Sequence, residues 1–186
     1  MSAVVPPQVP QRNAAALDAL FDGPGRPYAI VDAARTPRVL RLVKGCGERA
    51  LILYEGPIAQ EIAEVAPYLI PADRGSGVAE QIVSAGWGDA WGVFCASKVG
   101  PDELRRHLRK FLTVLTEKRK RMLFRFYDPR VLRVYLPTCT PAELQTFFGP
   151  VERFVIEGEG ARAAIVHRRE GEAFQTGQVP LLESAC

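Results

Sequence analysis

The stretch Met122–Leu132, Met-Leu-Phe-Arg-Phe-Tyr-Asp-Pro-Arg-Val-Leu, constrains the fold more than any other part of the chain. Its first half alternates. Met122, Phe124 and Phe126 share one side of an extended chain; Leu123, Arg125 and Tyr127 share the other. That period, with its aromatic content, predicts a strand of the main sheet running to about Tyr127, with Phe124 and Phe126 buried. Asp128 and Pro129 stop it. An aspartate caps a helix by accepting an orphan backbone N–H, and proline fits the first helical position, where no N–H is needed. The expectation is a strand, a tight corner and a helix from Pro129 to about Leu136. This arrangement gathers Arg125, Asp128, Arg130 and Arg133 at one strand end. Spacing alone reads Asp128 as a cap and the arginines as solvated surface.

The rest of the chain alternates strand-like and helix-like segments. Asn13–Phe21 reads as a short helix closed by Gly23-Pro24-Gly25. Tyr28–Asp32 is a short apolar run, consistent with a buried strand. Thr36-Pro37 breaks it, and a brief helix through Val39, Leu40, Leu42 and Val43 follows. Ala50–Tyr54 and Ala66–Ile70 read as extended, the latter with a proline suited to an edge or a strand start. Ile58–Val65 is ambiguous between a helical turn and a loop. Val78–Ala85 is a helix, and Trp91–Ala96 a strand. Pro101 starts what reads as the longest helix, with Leu104, Leu108, Phe111, Leu112 and Leu115 on one stripe and Arg105, Arg106, Arg109 and Lys110 opposite. Thr140-Pro141-Ala142-Glu143 is a capping box. Arg153–Ile156 and Ala163–His167 flank Glu157-Gly158-Glu159-Gly160, a hairpin turn. The polar stretch from Glu170 and the Pro/Val-rich Met1–Gln11 read as flexible or loosely docked. The fold class is α/β: one compact domain over residues 12–169, a mixed β-sheet flanked by helices, and a C-terminal hairpin.

Composition narrows the function. A chain of 186 residues with a formal charge of +3 suits one soluble domain, and that charge is too small to imply nucleic acid. Cys46, Cys95, Cys139 and Cys186 are scattered, against both a zinc ribbon and a disulfide scaffold. There is no secretory signal pattern and no apolar run of bilayer length, so a cytoplasmic protein is expected. His107 and His167 have no companion at zinc spacing and read as solvated or packing residues. Arg74-Gly75-Ser76-Gly77 is not a hydrolase elbow, and Gly45-Cys46-Gly47 is not a phosphate loop. The glycines around Trp87 and Trp91 read as turns between aromatic anchors. Lys118-Arg119-Lys120-Arg121 is first a solvated loop, and second a dock for an acidic surface.

Leu123–Val131 resembles the signature of the type VI secretion adaptor family, long catalogued as a domain of unknown function. Further segments are similar in order: Tyr28–Ala34, Ala66–Ile70, Trp87-Gly88 with Trp91–Phe94, Leu104–Leu108 and Phe147–Val151. The resemblance implies a non-enzymatic chaperone that binds a toxic effector protein and loads it onto the spike protein of a bacterial contractile injector. The residue patterns for their part lead to the expectation of no cofactor, no metal and no membrane, with nucleic acid unlikely. Many members of that family continue into a C-terminal lobe, and a chain without one would select its effector with less surface. Partner binding would fall to the corner residues Arg125, Arg130 and Arg133, with Asp128 and the anchors Tyr127 and Tyr135. Two alternatives remain open. One is an enzyme using Asp128 as acid or base, with Arg125 or Arg130 binding an anion. The other is a nucleic-acid module using residues 118–121.

Overall fold

The computed structural model describes residues 11–56, 61–115, 118–171 and 173–181. Met1–Pro10, Ile58, Leu182 and Cys186 lie outside them, so the expectations for those positions stay with the sequence. Among the described residues, six α-helices pack on a seven-stranded sheet. In chain order the elements are α1 (Gln11–Phe21), β1 (Arg26–Asp32), α2 (Pro37–Cys46), β2 (Leu51–Ile52), β3 (Pro67–Pro71), α3 (Val78–Gly86) and β4 (Gly92–Ser97). They continue with α4 (Pro101–Arg109), β5 (Thr113–Leu115), β6 (Arg121–Leu123), α5 (Pro129–Tyr135), α6 (Pro141–Phe148), β7 (Val151–Glu157), β8 (Ala163–Glu170) and β9 (Ala173–Pro180).

The strand order is β2-β3-β1-β4-β7-β8-β9, and β5 and β6 form a separate ribbon. The α/β domain is as expected, but its sheet is not mixed: every neighbouring pair is antiparallel. The reason is a split crossover. β3 and β4 run the same way and are joined through α3, as helix-connected strands usually are. β1 lies between them, antiparallel to both, so the parallel strands never touch.

Alternation divides the core into two layers. Ala29 and Val31 of β1 and Phe94 of β4 face α1, α2 and α3, together with Val39, Leu42, Ile82 and Val83. Tyr28 and Ile30 of β1 and Val93 and Cys95 of β4 face α4, α5 and α6, together with Leu104, Leu132, Phe147 and Phe148. Because both faces are covered, the central strands read as continuous apolar runs. Two glycines serve close approach, where turns alone were expected. A Cβ at Gly92 would lie 2.1 Å from the Ile30 carbonyl, and one at Gly86 would lie 2.3 Å from the Trp91 ring. Only Gly88, at φ +99°, is a turn glycine in that segment.

Three local expectations need correction. The strand expected in Met122–Tyr127 ends at Leu123 and belongs to the β5–β6 ribbon, not to the main sheet. From Phe124 the chain turns inward, so Phe126 and Tyr127 are both buried despite their alternation, while Phe124 is half-buried. The helix from Pro101 is not the longest. It stops at Arg109, and Leu115 of its supposed stripe stands exposed in β5. Thr113 and Val114 are β-branched and pair better than they coil. Finally, residues 173–180 form β9 along β8, and Leu181 is buried, so the stretch after Glu170 docks as a strand.

Candidate functional site

The corner sits at one end of the sheet because two strands place acids there. β1 ends at Asp32, β7 ends at Glu157, and β4 begins between them at Gly92. Each acid follows an apolar run and is buried: Asp32 is 3% exposed and Glu157 7%. Such burial is tolerated only with hydrogen-bond partners.

Each acid has them. Asp32 accepts from the Ala34 N–H at 3.0 Å and from the Arg125 guanidinium. Glu157 accepts from the N–H groups of Gly88 and, at 2.8 Å, Ala90. Burial pushes the Glu157 carboxyl above its ordinary value, and the Gly88 and Ala90 donors only partly offset this. Arg133 donates from Nη1 to the Glu157 backbone carbonyl at 3.2 Å. The corner is thus clamped to the ends of β1 and β7, on either side of β4.

Asp128 is the helix cap that the sequence announces, and more. Its Oδ1 accepts from the Arg130 N–H at 3.0 Å and from Arg130 Nε at 2.9 Å; its Oδ2 accepts from Nη2 at 2.6 Å. Burial alone would raise the Asp128 carboxyl, but the Arg130 bonds outweigh it and hold the group below the usual carboxylate range. The Arg125 guanidinium sits 5.9 Å from the Tyr127 ring centroid. Burial works against its charge, and Asp32 more than offsets that.

The two expected aromatic anchors are already engaged. Tyr127 is buried, and burial, with Tyr54 alongside, drives its phenol well above the ordinary value. Tyr135 packs edge-on against Phe124 at 4.7 Å and Phe147 at 5.5 Å between centroids. Burial pushes its phenol up to about 12. The structure therefore brings Arg125, Asp128, Arg130 and Arg133 together and turns Tyr127 and Tyr135 inward as supports. Sequence reading missed Asp32 and Glu157. The available signal was an acid closing an apolar strand, where a solvated loop residue would be ordinary.

Other candidates take structural roles. Arg105 and Arg109, read on the face opposite the apolar stripe, donate to the carbonyls of Ile52 in β2 and of Leu53 and Tyr54 just after it. His107 contacts the Phe147 carbonyl and His167 the Thr176 hydroxyl, each at 2.8 Å. Cys46 and Cys95 are buried free thiols and Cys139 is half-buried. Among the described residues, no group of three or more His, Cys, Asp or Glu side chains could hold a metal ion, and no helix is long and apolar enough to cross a membrane.

With the corner in place, comparison with known families is decisive on one point. The model of a domain of unknown function, DUF4123, matches residues 27–146. The chain belongs to the DUF4123 family. No curated protein and no solved structure matches it. The DUF4123 match runs from β1 to α6. It includes Asp32, Arg125, Asp128, Arg130 and Arg133, and it stops short of β7 and Glu157. The clamp to β7 is thus built by the DUF4123 segment on a partner strand outside the matched region.

Proposed function

We propose that this DUF4123 chain is a non-enzymatic adaptor, a chaperone that binds a type VI secretion effector and helps load it onto the spike protein. The resemblance of the signature and its flanking segments motivates the reading. One observation of geometry carries it. Arg125 and Arg130 are pinned on carboxylates only 4% and 7% exposed, while their own side chains remain 45% and 53% exposed. A guanidinium held in this way loses little freedom when its remaining N–H groups take a partner's carboxylate or backbone carbonyl. This is a pre-set cationic edge, suited to recognition.

The same geometry weighs against Asp128 as an acid or base. Both of its oxygens are occupied by Arg130, and a carboxyl held ionised is a poor proton donor and a weak base near neutrality. An interface of ordinary size takes roughly 800 Å² from each partner, so the corner is one part of a larger contact.

The test is affinity purification of the tagged chain from its own cells, with mass spectrometry of what remains bound. Spike and effector polypeptides are the expected result. Recovery of neither, or turnover of a small molecule by the purified chain, overturns the reading.

A further inference from the structure

The β5–β6 ribbon is exposed on both faces. Thr113 pairs with Leu123, Val114 with Met122 and Leu115 with Arg121, so the two sides of the ribbon carry different residues. Nevertheless Val114, Leu115, Met122 and Leu123 are 41%, 67%, 54% and 52% exposed. They are four of only six large apolar side chains left open among the described residues. Neither edge of the ribbon pairs with another described strand. A lone two-stranded ribbon is marginal in water, and an unpaired apolar edge is a template for another chain. Lys118, Arg119 and Lys120 follow in the connection between the strands, Arg121 opens β6, and all four are exposed.

We infer that this ribbon is a second docking surface, which takes an acidic, extended segment of a partner polypeptide as an added strand. The inference goes beyond the adaptor reading and uses different residues from the arginine corner. Three features select the partner. The basic connection calls for carboxylates. The apolar arms call for alternate aliphatic side chains. The open edges call for a backbone that can pair with them, the combination used in strand addition. An anionic bilayer would meet the charge and the apolar arms, but it leaves the edge N–H and C=O groups unpaired at high cost. A nucleic acid would meet the charge, but aliphatic arms offer no stacking platform. The nearest aromatic, Phe124, already packs on Tyr135.

The test uses the full chain and a labelled synthetic peptide of alternating valine and glutamate, titrated by fluorescence anisotropy. Controls are the valine–lysine counterpart, the same acidic peptide N-methylated at every second amide, anionic lipid vesicles and a single-stranded oligonucleotide. The acidic peptide should bind, and both peptide controls should lose about tenfold or more in affinity. Leu115→Glu with Met122→Glu, and separately Arg119→Glu with Arg121→Glu, should cost a similar factor while leaving the melting temperature unchanged. Amides of residues 113–115 and 121–123 should exchange more slowly in the complex. Equal binding of the N-methylated peptide, stronger binding of vesicles or oligonucleotide, or no binding of the acidic peptide overturns the inference. None of these results bears on whether spike and effector co-purify, so the two proposals fail separately.

Discussion

Arg125 donates to the buried carboxylate of Asp32, 93 positions earlier in the chain. This bond ties the corner before α5 to the end of β1. A carboxylate closing an apolar strand would otherwise carry an uncompensated charge, and the Ala34 N–H alone does not neutralise it. The pair therefore links fold to site: the strand sets the acid, and the acid sets the guanidinium.

The first expectation follows from that bond. Arg125→Ala leaves Asp32 buried with one donor, and should lower stability by about 1–3 kcal/mol. The half-exposed guanidinium is screened by solvent, which keeps the loss below that of a fully buried pair. Urea midpoints of Arg125→Ala, Asp32→Ala and the double variant give the coupling. A coupling near zero would mean that the corner is held by packing alone.

The second expectation concerns the aromatic turn. Phe126 is fully buried among Phe124, Tyr127 and Phe147. Phe126→Ala should cost about 3–5 kcal/mol, and Phe124→Ala clearly less, since that ring is half-buried. Equal losses at the two positions would contradict the inward turn after Leu123.

This turn also shows where the sequence was legible. Helix starts were written in plain chemistry. Asp128 caps α5, and Thr140 with Glu143 forms the capping box of α6. Each rests on a contact between near neighbours, which a linear reading can see. The strand expected through Tyr127 failed because its alternation was overridden by long-range burial: Phe126 and Tyr127, neighbours in sequence, are both buried in the same layer of the core. β9 failed for the same reason. Its polar residues pair along β8 through the backbone, and its order comes from a neighbour rather than from its own pattern. At the site, the arginines and the cap were legible. Asp32 and Glu157 were not, because their role depends on β1 and β7 finishing at the same end of the sheet.

A third expectation concerns pH. Burial holds the His167 imidazole down at about 4. Its Nε2 meets no partner among the described residues. Folding therefore favours the neutral ring. The unfolded chain takes up a proton below about 6.5, so stability from this group is full above that pH and falls as pH drops toward 4. The loss should reach roughly 3 kcal/mol at its largest. His107, also lowered chiefly by burial, adds in the same direction. Glu157, raised by burial, works oppositely: its contribution is full at low pH and lost as pH rises through its folded value. The informative quantity is thus a difference. Denaturation midpoints between pH 4 and 8 should fall less steeply on acidification for His167→Gln than for the parent chain. Parallel profiles would remove His167 as the cause.

The last expectation joins the corner to its proposed partners. Arg130 and Arg133 lie on α5, whose Leu132 is buried and whose Val134 is 68% exposed. Reversing both charges leaves the apolar packing of α5 intact. It does remove two contacts: the Arg130 fork on Asp128 and the Arg133 bond to the Glu157 carbonyl. Arg130→Glu leaves the buried Asp128 carboxylate with the backbone N–H alone and sets a like charge beside it, so the double variant should lose about 1–3 kcal/mol, and a melting curve must show that it is folded before capture is compared. If the corner is the cationic edge of the interface, capture of spike or effector should fall by about tenfold or more, because repulsive charge now faces the partner's acids. A lysine pair, Arg130→Lys with Arg133→Lys, should recover only part of the binding, since a point charge lacks the planar fork. Full recovery by lysine would assign the effect to charge alone. Unchanged capture by the glutamate variant would take this corner out of the interface, and the adaptor reading would then rest on co-purification and on other surfaces of the chain.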